Sequence, residues 1–339
     1  MRYVIIGAGA IGAGIGGLLA ETGSDTLLVA RGDHLAAMRE RGLTIRTPDT
    51  TFTCHPAVAA SPDEAELRAD DVLVLATKTH QAADALATWA DAPVHENGAV
   101  VGTAGERLPL LTALNGVASE EIALRWFARV YGVCVWMPAM LASPGEVIVR
   151  CAPVRAILHV ARYPASVADD GDAALLGQVA EEWGRAGIDV PRPDDVMPWK
   201  YRKLLGNLGN AVQALLGEGS EGEDITEAAR AEARKLYEAA GIALNSEESE
   251  QQSRGKLTSG PVAGAPDQMG GSTWQSLQRG SGSAETDYLN GEIVTIAHRI
   301  GRRAPINAAL ALMMRAAAAQ GSRPGSVTPD RLRAAVLDS

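Results

Sequence analysis

Six residues near the start of the chain, Gly7-Ala8-Gly9-Ala10-Ile11-Gly12, constrain the fold more than any others. They follow the apolar run at 3–6 and open a stretch of small residues that reads as a helix to about Glu21. Between a buried parallel strand and a helix, glycines at this spacing form a dinucleotide-binding turn. The first permits the tight turn, the second lets backbone approach a pyrophosphate, and the third lets helix and strand pack closely. The helix N-terminus adds free N–H groups and the positive end of its dipole. A plain tight turn is the bland alternative. The strand–loop–helix context favours the dinucleotide and assigns Gly7, Gly9, Ala10, Ile11 and Gly12 to it.

Further strands are predicted at 25–30, 43–46, 70–77, 109–113 and 132–136, with helices at 34–41 and 81–90. The β character at 147–160, with arginines interleaved, suggests a hairpin on the sheet edge. Strands alternating with helices mean an α/β fold built on a Rossmann-type doubly wound parallel sheet. From Asp194 onward only helical segments are legible, near 195–216, 225–245, 284–301 and 306–319, separated by loops such as the acidic GEGSEGED at 217–224. The expected organisation is a dinucleotide-binding domain over 1–193 and an all-helical substrate and catalytic domain over 194–339. A chain of 339 residues is long enough for two cores.

Composition removes several function classes. Hydrophobic residues at 46% and charged residues at 21% exclude disorder, collagen and coiled coil. A formal net charge of −10 argues against nucleic-acid and membrane-surface partners. Cys54, Cys134 and Cys151 form no CxxC and read as buried thiols in a reducing compartment. The six His have neither HxxxH nor HxH spacing, so no metal site is expected. No signal peptide precedes the first apolar run, and no apolar stretch reaches the ~20 residues of a membrane span. The expectation is a soluble, cytoplasmic protein.

The end of the second strand selects the cofactor. An NAD site usually places Asp or Glu there, on the ribose 2′-hydroxyl. Here the strand ends Val29-Ala30-Arg31. An acid would repel a 2′-phosphate, whereas an Arg guanidinium can pair with one bidentately, so the reading is NADP(H). Asp33 is the objection; as a helix N-cap it would have nothing to do with the ribose. Lys78, at the carboxyl end of the third strand, points into the crevice where such sheets bind ligands. Asn115-Gly116, after the next strand, belongs beside it. Otherwise these are a solvated Lys and an ordinary Asn-Gly turn.

Taken together, these residues resemble the ketopantoate reductase (2-dehydropantoate 2-reductase) family. The matching pieces run in order along nearly the whole chain: GAGAIG at 7–12, Arg31, KTHQ at 78–81, NGVASEE at 115–121, PG at 144–145, KLLGN at 203–207, STWQSL at 272–277 and ETDYLNGE at 285–292. The resemblance implies NADPH-dependent reduction of a 2-oxo acid to a 2-hydroxy acid in pantothenate biosynthesis, with the site between the domains. The family's catalytic Lys falls on Lys203 and its carboxylate on Glu285. The Ser that holds substrate falls on Ser272, and the helical asparagines fall on Asn207 and Asn210. Lys78 and Asn115 match the cofactor- and substrate-facing residues of the N-terminal domain. This chain departs in places. Asn210 follows Asn207 by three positions where the family usually has four, although both spacings fall on one helix face. The stretch between Lys78 and Asn115 is longer than usual, Leu114 and Ser119 replace the usual Gln and Asn, and a residue is inserted in RGSGSAE at 279–285.

The chemistry can be argued apart from the family. As hydride reaches a carbonyl carbon the oxygen becomes an alkoxide, so a positioned acid must donate a proton. Lys stands at only five positions, 78, 200, 203, 235 and 256, in a chain whose other cations are Arg. Arg stays protonated at neutral pH, whereas a desolvated Lys can give up its proton. Lys203 would also stabilise developing negative charge, with Glu285 orienting it. Ser272 and the asparagines can hold a carboxylate or hydroxyl without adding charge. Competing readings stay open: Lys200 as the acid, Glu285 as an exposed helix-start acid, Ser272 as a mere helix cap. At the level of function, a paralogue reducing another 2-oxo acid, carbonyl or imine and a non-catalytic dinucleotide sensor are the alternatives; a sensor needs none of Lys203, Asn207, Ser272 and Glu285. The layout suits a homodimer, with no interface legible in the sequence.

Overall fold

Strand 2–6 (RYVII) is buried along its whole length, and its side chains go alternately to two cores. Tyr3 and Ile5 pack with Ile15, Leu18 and Trp183, while Val4 and Ile6 pack with Leu73, Leu86 and Trp89. A strand apolar on both faces must be covered on both, and that makes the sheet doubly wound. The computed structural model describes residues 1–217, 221–265, 270–280 and 285–337. Part of the acidic loop at 217–224 and the core of the 279–285 insertion lie outside the described residues. Across the eight-stranded sheet the order is Ile188–Asp189, Ala156–Tyr163, Arg129–Trp136, Pro109–Thr112, Asp71–Leu75, Arg2–Ile6, Asp25–Val29, Ala57–Ala59. All neighbours are parallel except Ala156–Tyr163 against Arg129–Trp136.

The expected edge hairpin at 147–160 is not formed. Glu146–Val149 joins a separate four-stranded sheet, between Ala139–Ser143 and Leu43–Arg46. Ala156–Tyr163 runs inside the main sheet. The intervening backbone is claimed by other partners, Arg150 N by Pro138 O and Arg155 N by Gly187 O, and Pro153 has no N–H to give a ladder.

Contacts divide the chain into two units. The first comprises Met1–Leu114, Ser119–Val196 and Ser246–Ala265; the second comprises Asn115–Ala118, Met197–Asn245 and Pro266–Ser339. The second unit is all helical among its described residues. Met197–Asn207, Gly209–Leu216, Glu223–Ala239, Asn290–Arg299 and Pro305–Ala319 close around Leu204, Leu208, Leu215, Ile225, Tyr237, Ile293 and Leu310. The helix expected at 195–216 is interrupted at Leu208, and the one expected at 284–301 begins with a 3₁₀ turn, Glu285–Tyr288. No helix among the described residues is long and apolar enough to cross a membrane.

The segment Ser246–Ala265 returns to the first unit, held by polar contacts. Ser253 Oγ lies 3.0 Å from His159 Nε2, Lys256 Nζ 2.6 Å from Asp189 Oδ2, and the Arg254 guanidinium 4.4 Å from the Trp136 ring centroid. Burial pushes the pKa of His159 from its ordinary 6.5 down to about 4. The folded state therefore favours the neutral ring. Stability is complete above about 6.5 and falls as pH drops toward about 4, because the unfolded chain takes up a proton that the native ring refuses. Acidification across this window is expected to cost up to about 3 kcal/mol. Denaturant unfolding at several pH values reads the slope. His159→Gln should flatten it, and an unchanged slope would assign the acid sensitivity elsewhere.

Candidate active site

The sheet order reverses beside strand 2–6, which continues to 25–29 on one side and lies against 71–75 on the other. Ligands of such sheets bind at the carboxyl ends of the strands at this switch point. Both flanking loops carry candidate residues. Gly7 sits at φ +99°, and a Cβ there would lie 2.8 Å from Thr77 Cγ2 and 2.9 Å from Thr77 N. The turn thus presses on Ala76-Thr77, and half-buried Lys78 follows directly. Gly12 has no room either, since its Cβ would meet Gly7 O at 2.2 Å. Gly9 differs: nothing lies within 4 Å of its Cβ position. It is exposed and precedes the Ala10–Glu21 helix, whose first turn carries no acid. The first N–H groups of a helix have no internal partner, so those of Ala10 and Ile11 are left without a partner inside the helix, next to the open space at Gly9. These features fit a pyrophosphate.

Arg31 is exposed at the end of strand 25–29, in extended backbone (φ −138°, ψ 163°), and is itself the N-cap of the Gly32–Arg41 helix. Asp33, expected as that cap, instead occupies the first helical turn. There its charge complements the helix dipole. The same turn holds a residue not singled out from the sequence: Gly145 N donates to His34 Nδ1 at 2.8 Å, and burial lowers the pKa of this imidazole. The contact ties the PG turn at 144–145 to the helix that starts at the cofactor loop's neighbour.

The second unit holds the other candidates. Lys203 is half-buried near the end of the Met197–Asn207 helix, and its Nζ donates to Asn115 Oδ1 at 2.8 Å. Asn115 is fixed by its neighbour. Gly116 adopts φ +77°, and a Cβ there would come within 2.6 Å of Tyr288 O. Only glycine lets the turn press on the backbone of Glu285–Tyr288, so Lys203, Asn115 and that 3₁₀ turn converge. Glu285 is 5% exposed, which removes its reading as a solvated helix-start acid. Asn207 lies one helical turn beyond Lys203. Its Nδ2 is buried and finds no hydrogen-bond partner among the described residues.

Asn210 and Ser272 are brought together by a second close approach. Gly271 N donates to Gln213 Oε1 at 2.8 Å, and a Cβ on Gly271 would lie 3.2 Å from Asn210 Oδ1. Gly271 is the N-cap, and Ser272 is the first residue of the Ser272–Gln278 helix, so Ser272 is not the cap. Gln213, one turn beyond Asn210, was not foreseen. Its signal was its spacing alone. The rival Lys200 is 3% exposed, against a half-buried Lys203. The arrangement offers one ammonium, one buried carboxyl and several neutral donors, suited to a small anion bearing a carbonyl oxygen.

Comparisons with known proteins place the chain in a family. The family described as "Ketopantoate reductase PanE/ApbA" matches residues 3–157, and its C-terminal counterpart matches 195–318. A 2-dehydropantoate 2-reductase of Pyrococcus horikoshii is 28% identical over 93% of this chain and 97% of its own length. One of Mesorhizobium japonicum is 32% identical over 70% of this chain and 73% of its own. Among solved structures, a PanE/ApbA family ketopantoate reductase of Ralstonia eutropha JMP134 superposes with TM-score 0.75 at 23% identity, covering 95% of this chain and 99% of that one. D-mandelate dehydrogenase with NADH and anilino(oxo)acetate gives 0.76 at 21% identity, with the same coverage.

Proposed function

The chain belongs to the ketopantoate reductase family, a family of oxidoreductases, and from that premise we propose that it reduces a 2-oxo acid to the 2-hydroxy acid with NADPH, ketopantoate to pantoate first among the candidates. The observation that carries the reading is the Lys203 amine held 2.8 Å from the Asn115 carboxamide oxygen, one turn from an Asn207 Nδ2 that lacks a partner. An acceptor oxygen on Nζ keeps one N–H direction occupied and aims the remaining protons. Lys203 is the proton donor to the carbonyl oxygen, and its positive charge stabilises the alkoxide as it forms. Glu285, buried beside the turn that seats Gly116, balances and orients that charge. Asn207, Asn210 and Ser272 hold the carboxylate and hydroxyl of the substrate. The bound nicotinamide supplies the hydride. Gly7, Gly9, Ala10, Ile11 and Gly12 would hold the pyrophosphate, Arg31 the 2′-phosphate, and Lys78 with Asn115 the nicotinamide end. In this reading residues 1–193 form the cofactor domain and 194–339 the catalytic domain of a cytoplasmic enzyme of pantothenate formation.

A second reading is favoured by the likeness to D-mandelate dehydrogenase, whose described complex holds NADH and an aryl-amino oxo acid. It keeps the fold and the reaction but changes the substrate side chain, and it gives Arg31 no 2′-phosphate to bind. A panel of 2-oxo acids assayed with NADPH and NADH decides between them. Loss of reduced-nicotinamide absorbance with ketopantoate and NADPH is the expected result. Turnover of bulkier 2-oxo acids alone would establish the second reading, and binding without any turnover would leave only a sensor.

A further inference from the structure

The peptide unit that leads into Ser272 is held from both sides. Its carbonyl, Gly270 O, accepts from Gln275 Nε2 at 3.0 Å, and its N–H, Gly271 N, donates to Gln213 Oε1 at 2.8 Å. A peptide unit is planar, so fixing its two polar ends fixes the plane and the direction in which the chain enters the next residue. The faces of the unit are closed as well. A Cβ on Gly270 would lie 2.4 Å from Trp274 Cγ and Cδ2, and one on Gly271 would lie 3.1 Å from Gln213 Oε1 and 3.2 Å from Asn210 Oδ1. Gly271 has φ −58°, an angle open to any residue. Space, not backbone conformation, calls for glycine there.

The two glutamines differ in where they come from. Gln275 belongs to the same Ser272–Gln278 helix and is 8% exposed. Gln213 reaches across from the Gly209–Leu216 helix and is exposed. The sequence explains why an outside acceptor is used. Gly271 is the N-cap, and a capping box would satisfy its N–H with a Glu or Gln three residues on. That position is Trp274, whose indole donates but does not accept. The acceptor comes instead from a residue 58 positions away. Gln213 stands three positions after Asn210, on the same helix face, so this one bond ties the start of the Ser272 helix to the helix that carries Asn210. We infer that Gln213 is a positioning residue: by holding Gly271 N it sets the place of Ser272 relative to Asn210, and through Ser272 the grip on the 2-oxo acid. In this role it touches neither substrate nor cofactor. The inference rests on the proposed reading of Ser272 as a substrate contact.

The test is a double-mutant cycle on the full-length protein, with ketopantoate or whichever 2-oxo acid the panel identifies. Gln213→Ala is expected to raise KM about three- to tenfold, the worth of one hydrogen bond, with kcat within about twofold, the pattern of lost uniform binding. Gln213→Met keeps the length of the side chain, loses the amide acceptor and should match it. Ser272→Ala should raise KM in its own right. In that background Gln213→Ala should add less than about twofold, because a residue that acts through another is not additive with it. A wild-type KM in folded Gln213→Ala overturns the inference even if the variant melts earlier, since a purely structural bond would lower stability and leave KM in place. Fully additive effects overturn it as well, because Gln213 would then meet the substrate directly. A wild-type KM in Ser272→Ala overturns it too, as Gln213 would have no substrate contact to place. All three results leave the proposed function standing. Failure of the wild-type chain to reduce any 2-oxo acid is a different result, one that removes that function and this inference with it.

Discussion

Lys203→Ala is expected to lower kcat by roughly two to four orders of magnitude, the range typical of a general acid removed from its site. NADPH affinity should hold, since in the proposed reading the glycine turn and Arg31 carry the phosphates. The argument rests on placement. The Lys203 amine is half-buried and directed by Asn115, and Gly116 pins Asn115 against the turn that begins with Glu285. Lys203→Arg separates two roles. A guanidinium keeps the positive charge but gives up no proton near neutral pH. If the proton matters, Arg should be nearly as poor as Ala; if charge alone matters, Arg should recover most of the rate. Lys200→Ala is the control on the same helix. Lys200 is 3% exposed, so its loss should act on stability more than on turnover. A large fall in kcat for Lys200→Ala with little change for Lys203→Ala would transfer the acid role to Lys200. Rates at saturating substrate and cofactor, with melting temperatures alongside, decide the matter.

What the sequence revealed and what it hid follow from the range of the forces involved. The glycine turn was legible because its requirements are local: positive φ at Gly7 and no side chain at Gly12 are needed whatever the rest of the chain does. The two β segments within 147–160 were also visible, but not their partners, since alternation is the same in either sheet and only pairing distinguishes them. Segment 246–265 gave no sign of joining the first unit. The Glu247–Arg254 helix, EESEQQSR, buries Ser253 and has no apolar stripe. What holds it is a set of polar contacts to His159, Asp189 and Trp136. The helix break at Leu208 was hidden for a similar reason. KLLGNLGNAVQALL carries a continuous helical pattern, and the Asn290 side chain that donates to Leu208 O at the break lies 82 positions away. The Lys203–Asn115 bond spans 88 positions. No periodicity pairs such residues. The family resemblance named both residues without naming the bond.

Arg31→Ala should weaken NADPH binding by about ten- to a hundredfold while changing NADH binding by less than about threefold, the worth of a charge-assisted pair to a phosphate. Arg31 stands at the carboxyl end of strand 25–29, where a ribose 2′-substituent is read in this fold, and it is exposed, so its guanidinium can move to meet a phosphate. The test can be run in reverse. Arg31→Asp places a carboxylate where the 2′-phosphate would sit, which repels NADPH and accepts a hydrogen bond from the ribose 2′-hydroxyl of NADH, so the preference should invert. Asp33 is the competitor within the same turn. Its place in the first turn of the Gly32–Arg41 helix gives it a structural role beside the dipole. Asp33→Ala should therefore cost a few tenths to about 1 kcal/mol of stability and leave the cofactor ratio alone. Titration of each variant with both cofactors separates the two residues. Equal affinities for NADPH and NADH in the wild-type chain, with NADH binding lost in Asp33→Ala, would make Asp33 the ribose ligand and the enzyme NAD-dependent.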